Sequence, residues 1–297
     1  MKYLILGANG LIGRQFMTLC QGKKIDYAGT RFSREAGGLI KFDQLDLEAA
    51  PRVFDEVQPT VVINAIGLAG GVNFCEENPE ISKKYHVEAV NVMADWCKRN
   101  NAAYGFISTD YVFDGQNPPY KETDQTNPLN LYGKYKLEAE HIIQAQLEKY
   151  VIARTTNVFG WDPETKTPNF LMHLINTLKT SDSIKVPSFL SGNPTYAGDL
   201  AAATMDLMQN GNFGLYHVVG PGYINRYDWA LKCLEAAKIT GKTIENMTEP
   251  PQCMVPRPLT SNLDTTKFNS KSNVKMRNVD EGLQLFARQF LASSQQL

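Results

Sequence analysis

The residues best suited to acid–base chemistry are a tyrosine and a lysine four positions apart, Tyr132 and Lys136. In a helix, this spacing places both side chains on one face. A free tyrosine titrates at about pH 10, and a neighbouring ammonium favours the phenolate, so Lys136 is expected to lower the pKa of Tyr132. Upstream, Ser108 and Thr109 place hydroxyl groups at the end of an apolar segment. Together these residues predict a site of proton transfer.

A glycine-rich segment near the N-terminus predicts a binding site for a dinucleotide. Gly7, Gly10 and Gly13 lie between a predicted strand and a predicted helix. Gly7 permits a tight turn, Gly10 lets the backbone approach a pyrophosphate, and Gly13 lets the helix lie close to the strand. Phosphates bind at the N-terminus of such a helix. The predicted cofactor contacts in this segment are Gly7, Asn9, Gly10, Leu11 and Ile12.

The residues after the second predicted strand favour NADPH over NADH. A carboxylate there binds a ribose 2′-hydroxyl, whereas cations favour a 2′-phosphate. The sequence places Arg31, Ser33 and Arg34 before the first carboxylate, Glu35. Further on, Asp46 offers a carboxylate to an adenine amino group, and small residues after the fourth strand leave room for the cofactor. The expected contacts downstream are Asp46, Leu47, Ala65, Ile66 and Gly67.

Alternating apolar and amphipathic segments predict the elements that position these residues. The apolar central strand segments show no alternation, so helices are expected on both faces of the sheet. The predicted fold class is α/β, a Rossmann-type doubly wound parallel sheet with a smaller interleaved C-terminal substrate lobe. Strands are predicted at residues 3–6, 25–30, 39–42, 60–64, 103–108 and 150–154, with helices at 11–20, 49–57, 79–99 and 129–146.

Proline-rich segments in the second half of the chain predict the smaller lobe. A helix at 200–208 and a strand at 215–219 still look like parts of the main sheet domain. The predicted NADP-binding domain is therefore residues 1–157 with a contribution from 188–220, and the predicted substrate lobe is 158–187 and 221–297.

The composition disfavours several classes of partner. The chain has 30 Lys and Arg against 31 Asp and Glu, a formal net charge of −1, and 43% hydrophobic residues. This balance gives the protein no overall positive electrostatic field that would attract nucleic acid or an anionic membrane. No segment approaches the roughly 20 apolar residues of a membrane helix. We therefore expect a cytoplasmic protein with a small-molecule substrate, no nucleic-acid partner and no membrane partner.

Cysteine and histidine spacing predicts no metal site. The five cysteines are scattered without a CxxC pair, so neither a disulfide framework nor a thiolate zinc site is expected. The histidines lack i,i+4 pairing and are interpreted as single polar or half-buried imidazoles. They are His86, His141, His173 and His217.

Further motifs follow along nearly the whole chain, at residues 108–115, 154–156, 192–195, 199–201, 214–217 and 257–264. With the glycine and tyrosine motifs, they resemble the extended short-chain dehydrogenase/reductase superfamily, and within it the dTDP-4-dehydrorhamnose reductase type. The later motifs carry the narrower resemblance, because the whole superfamily shares the earlier ones. The resemblance implies NADPH-dependent reduction of the 4-keto group of a nucleotide-linked 6-deoxyhexose.

The resemblance also implies roles for individual residues. Thr109 would bind the carbonyl oxygen, Tyr132 would donate the proton, and Lys136 would hold the nicotinamide ribose and tune Tyr132. The planar fork of Arg257 suits diphosphate oxygens. The resemblance allows a homodimer. The implied substrate contacts are Thr109, Asp110, Tyr111, Asn157, Pro194, Thr195 and Arg257.

Two departures from the family pattern bear on substrate and metal. Asn157 stands where the rhamnose-pathway enzymes have a tryptophan that contacts the sugar, so the substrate could be a different keto-sugar. Gln15 stands where some members have a glutamate that binds magnesium at a dimer contact, so no metal is predicted.

Three alternatives remain open. A sugar-nucleotide dehydratase would need an acidic residue where the chain has Tyr111. An epimerase-reductase of the GDP-fucose type would need a cysteine near the same strand end and a histidine to exchange protons beside the ketone, and Cys75 and Cys97 are not expected to lie there. A non-catalytic NADP-binding regulatory subunit, similar to the β subunit of methionine adenosyltransferase, is compatible with the motifs.

Overall fold

The structure is a computed structural model that describes residues 1–33, 37–68, 70–165 and 168–294. The strands are β1 (Lys2–Leu6), β2 (Asp26–Arg31), β3 (Ile40–Lys41), β4 (Val61–Asn64), β5 (Ala103–Thr109), β6 (Tyr150–Thr155), β7 (Val158–Phe159), β8 (Ser183–Pro187), β9 (Ser191–Gly192), β10 (Thr195–Tyr196), β11 (Gly214–His217), β12 (Ile224–Asn225), β13 (Thr243–Met247) and β14 (Thr260–Ser261).

The α-helices are α1 (Leu11–Gly22), α2 (Ala49–Val57), α3 (Gly71–Glu77), α4 (Pro79–Lys83), α5 (Ala89–Arg99), α6 (Leu131–Gln146), α7 (Phe170–Thr180), α8 (Ala197–Gln209), α9 (Arg226–Ala236), α10 (Thr266–Asn269) and α11 (Val279–Ser294). A π-helical turn, Lys84–Glu88, joins α4 to α5, and a 3-10 turn, Asp110–Val112, follows β5. Within the described part of the chain, no helix is long and apolar enough to cross a membrane.

A seven-stranded sheet in the order β11-β6-β5-β4-β1-β2-β3 forms the centre of the molecule. Every neighbouring pair in it is parallel. Side chains of α2, α5 and α6 cover one face, and side chains of α1 and α8 cover the other. The predicted doubly wound parallel sheet is therefore confirmed. Because the strand order reverses between β1 and β4, a crevice is expected at their carboxyl ends.

The helix predicted at residues 79–99 is interrupted at its centre. The π turn buries three consecutive side chains, Tyr85, His86 and Val87. The carbonyl oxygen of Tyr85 accepts a hydrogen bond from Gln44 Nε2 at 2.6 Å. Apolar periodicity does not distinguish such a turn from an α-helix, because the residues on either side remain helical.

A separate core lies in the second half of the chain. It is built from α7, α9, α11, β8 and β13 around Phe159 and Trp229. Strand β9 pairs with β12 and β14 rather than with the main sheet. The residue boundaries of the two domains remain a prediction.

Candidate active site

A cavity of about 390 Å³ opens at the carboxyl ends of β4, β5 and β6. Its walls include residues that follow each of these strands, and Ile12 from the start of α1. The site therefore lies where a doubly wound sheet is expected to bind its ligand. Predicted residues that line it are Ile12, Ala65, Ile66, Gly67, Thr109, Asp110, Tyr111, Tyr132, Lys136 and Asn157.

The start of α6 brings Tyr132 and Lys136 to this cavity. Asn130 caps the helix by accepting a hydrogen bond from Gly133 N at 2.9 Å. A Cβ atom on Gly133 would lie 2.2 Å from the carbonyl oxygen of Tyr111. The glycine after Tyr132 therefore allows α6 to pack directly on the turn that follows β5.

The pKa of Tyr132 is shifted upwards, opposite to the expected direction. Burial of the phenol among protein atoms is the largest cause, and the nearby Asp110 adds to it. Interaction with the Thr109 hydroxyl opposes the shift. The expected net lowering of this pKa is not observed, because desolvation disfavours the phenolate more strongly than the neighbouring groups favour it. Tyr132 is therefore a protonated phenol at neutral pH, which is the form that can donate a proton.

Lys136 is a buried residue of the cavity lining. Its Nζ donates a hydrogen bond to the carbonyl oxygen of Ile107 at 2.8 Å and lies 4.3 Å from the centre of the Phe106 ring. Burial lowers the pKa of Lys136 to about 8, while the carboxylate of Glu140 opposes this shift. The side chain is therefore mainly an ammonium at pH 7.

Thr109 and Asp110 form a polar group at the end of β5. The Thr109 hydroxyl donates to Asp110 Oδ1 at 3.1 Å and accepts from Tyr111 N at 3.2 Å. Burial raises the pKa of Asp110, and hydrogen bonds from Ser261, Thr156 and Thr109 oppose the shift. The backbone turn thus fixes the Thr109 hydroxyl beside Tyr132.

Ser108 belongs to a buried ionic network. Its hydroxyl donates to Glu140 Oε1 at 2.5 Å, and Arg154 Nη2 donates to Glu140 Oε2 at 2.7 Å. Both charged side chains are almost inaccessible to solvent. The network ties β5, β6 and α6 together, so Ser108, which lines the cavity beside Thr109, also stabilises the scaffold.

The glycine-rich segment has the geometry expected for Gly7 and Gly13. Gly7 has a positive φ of 73° and accepts a hydrogen bond from Gly10 N at 2.9 Å. A Cβ atom on Gly13 would lie 2.1 Å from the carbonyl oxygen of Gly7. The tight turn and the close contact of helix with strand leave the N-terminus of α1 directed towards the crevice. Gly7, Asn9, Gly10 and Leu11 do not line the cavity itself.

The other predicted cofactor residues differ in burial and in their hydrogen-bond partners. Arg31 ends β2, and its buried Nε has no hydrogen-bond partner among the described residues. Ser33 is exposed, and Arg34 lies outside the described residues. Asp46 accepts from Glu48 N at 3.2 Å and from Arg52 at 3.3 Å. Leu47 packs against the core.

These residues fit a nucleotide cofactor at one edge of the sheet. Gly7 and Gly10 carry no side chains that would block a phosphate at the turn before α1, and Arg31 Nε is a donor without a partner among the described residues. Both features suit a dinucleotide that carries phosphate groups.

The expected substrate contacts divide into two groups. Asp110, Tyr111 and Asn157 line the cavity, whereas Pro194, Thr195 and Arg257 do not. The Thr195 hydroxyl donates to the carbonyl oxygen of Asn193 at 3.1 Å and is fully buried. Arg257 interacts with the phenol of Tyr111 and lowers its pKa, although burial raises that pKa overall.

The cavity residues that were not expected from the sequence include His86, Phe170 and Arg226. The Arg226 guanidinium lies 5.3 Å from the centre of the Phe170 ring. Both residues begin helices far along the chain from the tyrosine motif, so no local pattern connects them to it. For His86, the sequence shows a histidine within a predicted helix, and this pattern does not indicate a cavity residue.

Cys75 lies closer to the site than expected. It is buried on α3 and influences the pKa values of both Tyr132 and Lys136. It does not line the cavity. Across the described ranges, no group of three or more His, Cys, Asp or Glu side chains could hold a metal ion.

Three features are those of a short-chain dehydrogenase/reductase: the doubly wound sheet, the glycine-rich turn after β1, and the tyrosine–lysine pair at the cavity. A family model described as "RmlD substrate binding domain" matches residues 1–292. The chain belongs to this family. The resemblance to the dTDP-4-dehydrorhamnose reductase type is thereby confirmed.

Two curated relatives carry different names. The chain is 31% identical over 293 residues to a dTDP-4-dehydrorhamnose reductase of Aggregatibacter actinomycetemcomitans, covering 92% of this chain and 94% of the relative. It is 28% identical to methionine adenosyltransferase 2 subunit beta of Xenopus tropicalis, covering 90% of this chain and 81% of the relative.

Solved structures give the same fold. A dTDP-4-dehydrorhamnose reductase from Clostridium acetobutylicum ATCC 824 matches with a TM-score of 0.85 and 29% identity, covering 98% of this chain and 100% of that one. The enzyme of the same name from Bacillus anthracis str. Ames, solved in complex with NADP, matches with a TM-score of 0.86 and 24% identity. The match covers 97% of this chain and 99% of that one.

Proposed function

We propose that this protein reduces the 4-keto group of a nucleotide-linked 6-deoxyhexose, with NADPH as the reductant. The observation that carries the proposal is the meeting of Thr109, Tyr132 and Lys136 at one cavity beside the carboxyl end of β5. Tyr132 is protonated there and Lys136 is mainly charged. A ketone that binds in this cavity meets a proton donor and a cation.

The cofactor side of the site has assigned residues. NADPH supplies the hydride when it is bound. The turn at residues 7–13 and the small residues 65–67 are proposed to hold the dinucleotide, with Lys136 at the nicotinamide ribose. Arg31 is proposed to bind the 2′-phosphate, because its buried Nε is an unused donor among the described residues.

On the substrate side, two hydroxyl groups are proposed to bind the carbonyl oxygen. Thr109 binds this oxygen through its O–H, which leaves Asp110 Oδ1 for the ligand, and Tyr132 transfers its proton to the oxygen as negative charge develops. The ammonium of Lys136 stabilises the phenolate that remains on Tyr132. The carbonyl becomes a hydroxyl group, and Tyr132 must recover a proton before the next turnover.

The remaining walls are proposed to bind the sugar nucleotide. Asn157 and Tyr111 offer polar groups, and Phe170 offers an apolar face. The half-buried guanidinium of Arg226 has no ion pair with a described carboxylate, so it is suited to an anionic group of the ligand. The proposed smaller lobe, residues 158–187 and 221–297, supplies Phe170 and Arg226.

NADPH oxidation tests the proposal. The purified protein is mixed with NADPH and a panel of 4-keto-6-deoxyhexoses linked to dTDP, UDP, GDP or CDP, and the absorbance of NADPH is followed. We expect oxidation with at least one member of the panel. Binding of NADPH without oxidation by any member would contradict the reductase proposal.

That contrary outcome would favour a second candidate, a non-catalytic NADP-binding regulatory subunit. The observation behind it is the relative named methionine adenosyltransferase 2 subunit beta, which matches 90% of this chain. Co-purification with a methionine adenosyltransferase catalytic chain, together with the absence of turnover, would support it.

A further inference from the structure

His86 is a buried cavity residue with an unused polar atom. Its side chain is 2% exposed, and Nε2 has no hydrogen-bond partner among the described residues. A buried polar atom without a partner costs free energy, so such atoms usually serve a ligand, an ion or water. Because His86 also lines the cavity, a ligand bound there lies beside its ring, and we consider that ligand as the partner of the nitrogen.

The neighbours of His86 connect it to the proton donor. Its ring contacts the Tyr132 ring edge to face, with 5.5 Å between ring centres. Tyr111 contacts Tyr132 in the same manner at 5.9 Å. The Tyr132 ring is thus held between two aromatic neighbours, each in the edge-to-face arrangement that aromatic pairs favour.

The backbone around His86 is specialised. His86 lies in the π turn between α4 and α5, and π turns occur frequently at functional sites. Tyr85, the preceding residue, packs on the His86 ring at 5.2 Å and donates its hydroxyl to the carbonyl oxygen of Gly67 at 3.3 Å. The π turn is therefore connected to the cavity wall formed by residues 65–67.

The charge state of His86 limits its role. Burial, with a smaller contribution from the Lys136 ammonium, lowers the pKa of His86 to about 3. The ring is therefore neutral at pH 7, with one N–H donor and one acceptor nitrogen. It can form a hydrogen bond with a ligand, but it does not act as a cationic acid.

We propose that His86 is a positioning residue for the reaction: its ring fixes Tyr132, and its Nε2 forms a hydrogen bond with an oxygen atom of the bound dinucleotide. The dinucleotide is favoured over the sugar because His86 shares its wall with Gly67 and Lys136, the groups assigned to the cofactor. This inference rests on one part of the proposed function, namely that the cavity binds NADPH.

Two variants distinguish the role of the His86 ring from the role of its Nε2 atom. His86→Phe retains an aromatic ring and removes Nε2, whereas His86→Asn retains a polar group and removes the ring. NADPH binding is measured by fluorescence titration without sugar, and kcat is measured with the sugar nucleotide that the wild type reduces. Thermal melting checks that both variants fold.

The two variants are expected to behave oppositely. His86→Phe should raise the Kd for NADPH about fivefold, the effect of one lost hydrogen bond, and should lower kcat less than His86→Asn does. His86→Asn should change this Kd by less than about twofold and lower kcat about fivefold, because Tyr132 loses one aromatic neighbour.

His217 offers a matched control. It is also buried with an unpartnered Nε2 among the described residues, but it does not line the cavity. His217→Phe should leave the Kd for NADPH unchanged. If His86→Phe also leaves it unchanged, or weakens the sugar nucleotide instead, the cofactor contact is refuted. The titration needs no turnover, so it distinguishes failure of this inference from failure of the proposed function.

Discussion

Tyr132 combines two properties that a proton donor needs. Its phenol faces a ligand cavity, and burial and Asp110 raise its pKa above the usual value. Transfer of its proton to a ketone oxygen therefore leaves a phenolate that the buried surroundings disfavour. Lys136 and the Thr109 hydroxyl are the groups that compensate for this cost in the proposed reaction.

Replacing Tyr132 tests this role directly. Tyr132→Phe should lower kcat by at least about 100-fold, because a positioned acid contributes roughly 10²–10⁴-fold. The Kd for NADPH should stay within about threefold, as measured by fluorescence titration. Tyr135→Phe, on the same helix but outside the cavity, is the control. Retained activity in Tyr132→Phe would exclude this phenol as the acid.

Arg31 tests the preference for a 2′-phosphate. Arg31→Ala should raise the Kd for NADPH at least about tenfold, because a charge-assisted hydrogen bond to the 2′-phosphate is lost. The Kd for NADH, which lacks this phosphate, should change by less than about twofold. Isothermal titration calorimetry with both nucleotides measures the two values. The exposed Arg99, which pairs with Asp95 away from the site, provides the control variant Arg99→Ala. Equal weakening of both nucleotides would refute the 2′-phosphate assignment.

At the scale of elements, close contact between α6 and the turn after β5 sets the geometry of the site. Gly133 faces the carbonyl oxygen of Tyr111 with no room for a Cβ atom. Gly133→Ala should therefore push α6 away from the turn, lower kcat about tenfold and destabilise the fold by about 1–3 kcal/mol. Steady-state kinetics and urea unfolding measure the two effects.

Gly22→Ala is the matched control for this prediction. Gly22 ends α1, and a Cβ atom there would meet no heavy atom within 4 Å. Its unfolding free energy should be unchanged or slightly higher, because alanine favours helix more than glycine. A Gly133→Ala enzyme with the activity and stability of the wild type would contradict the proposed packing role.

The elements themselves could be predicted because their signals are local. Apolar runs mark β1 and β4–β6, and the spacing of Tyr132 and Lys136 marks one face of α6. The π turn around His86 could not be predicted, because it leaves no mark in the periodicity. The upward pKa shift of Tyr132 also depends on tertiary burial, whereas the sequence shows the neighbouring charge of Lys136 alone.

At the scale of the whole molecule, distant segments complete the cavity. Phe170 and Arg226 come from α7 and α9, and no sequence spacing relates them to β5. Their position depends on how the second core packs against the sheet. The net charge of −1 conceals this local arrangement, because Arg226 and Lys136 place cations at the cavity without a basic surface overall.

Buried histidines predict a loss of global stability in acid. Burial, followed by Arg154, lowers the pKa of His217 to about 3. Between about pH 6.5 and pH 3 the unfolded chain binds the proton that the folded chain excludes, so the free energy of unfolding falls as the pH falls. His217→Phe should reduce this slope by up to about 1.4 kcal/mol per pH unit.

Urea unfolding at pH 7 and pH 4.5 measures that slope. The exposed His141 gives the control variant His141→Phe, which should keep the dependence of the wild type. An unchanged slope in His217→Phe would show that this buried imidazole does not contribute to acid sensitivity.

Hydride transfer to the sugar is the most direct test of the proposed function. NADPH deuterated at both C4 positions of the nicotinamide is incubated with the protein and a dTDP-linked 4-keto-6-deoxyhexose, and the sugar product is analysed by mass spectrometry and NMR. The proposed function predicts one deuterium at C4 of the sugar, bonded to the carbon that now carries a hydroxyl group. A protein that binds NADPH but leaves the sugar unreduced and without deuterium would contradict it.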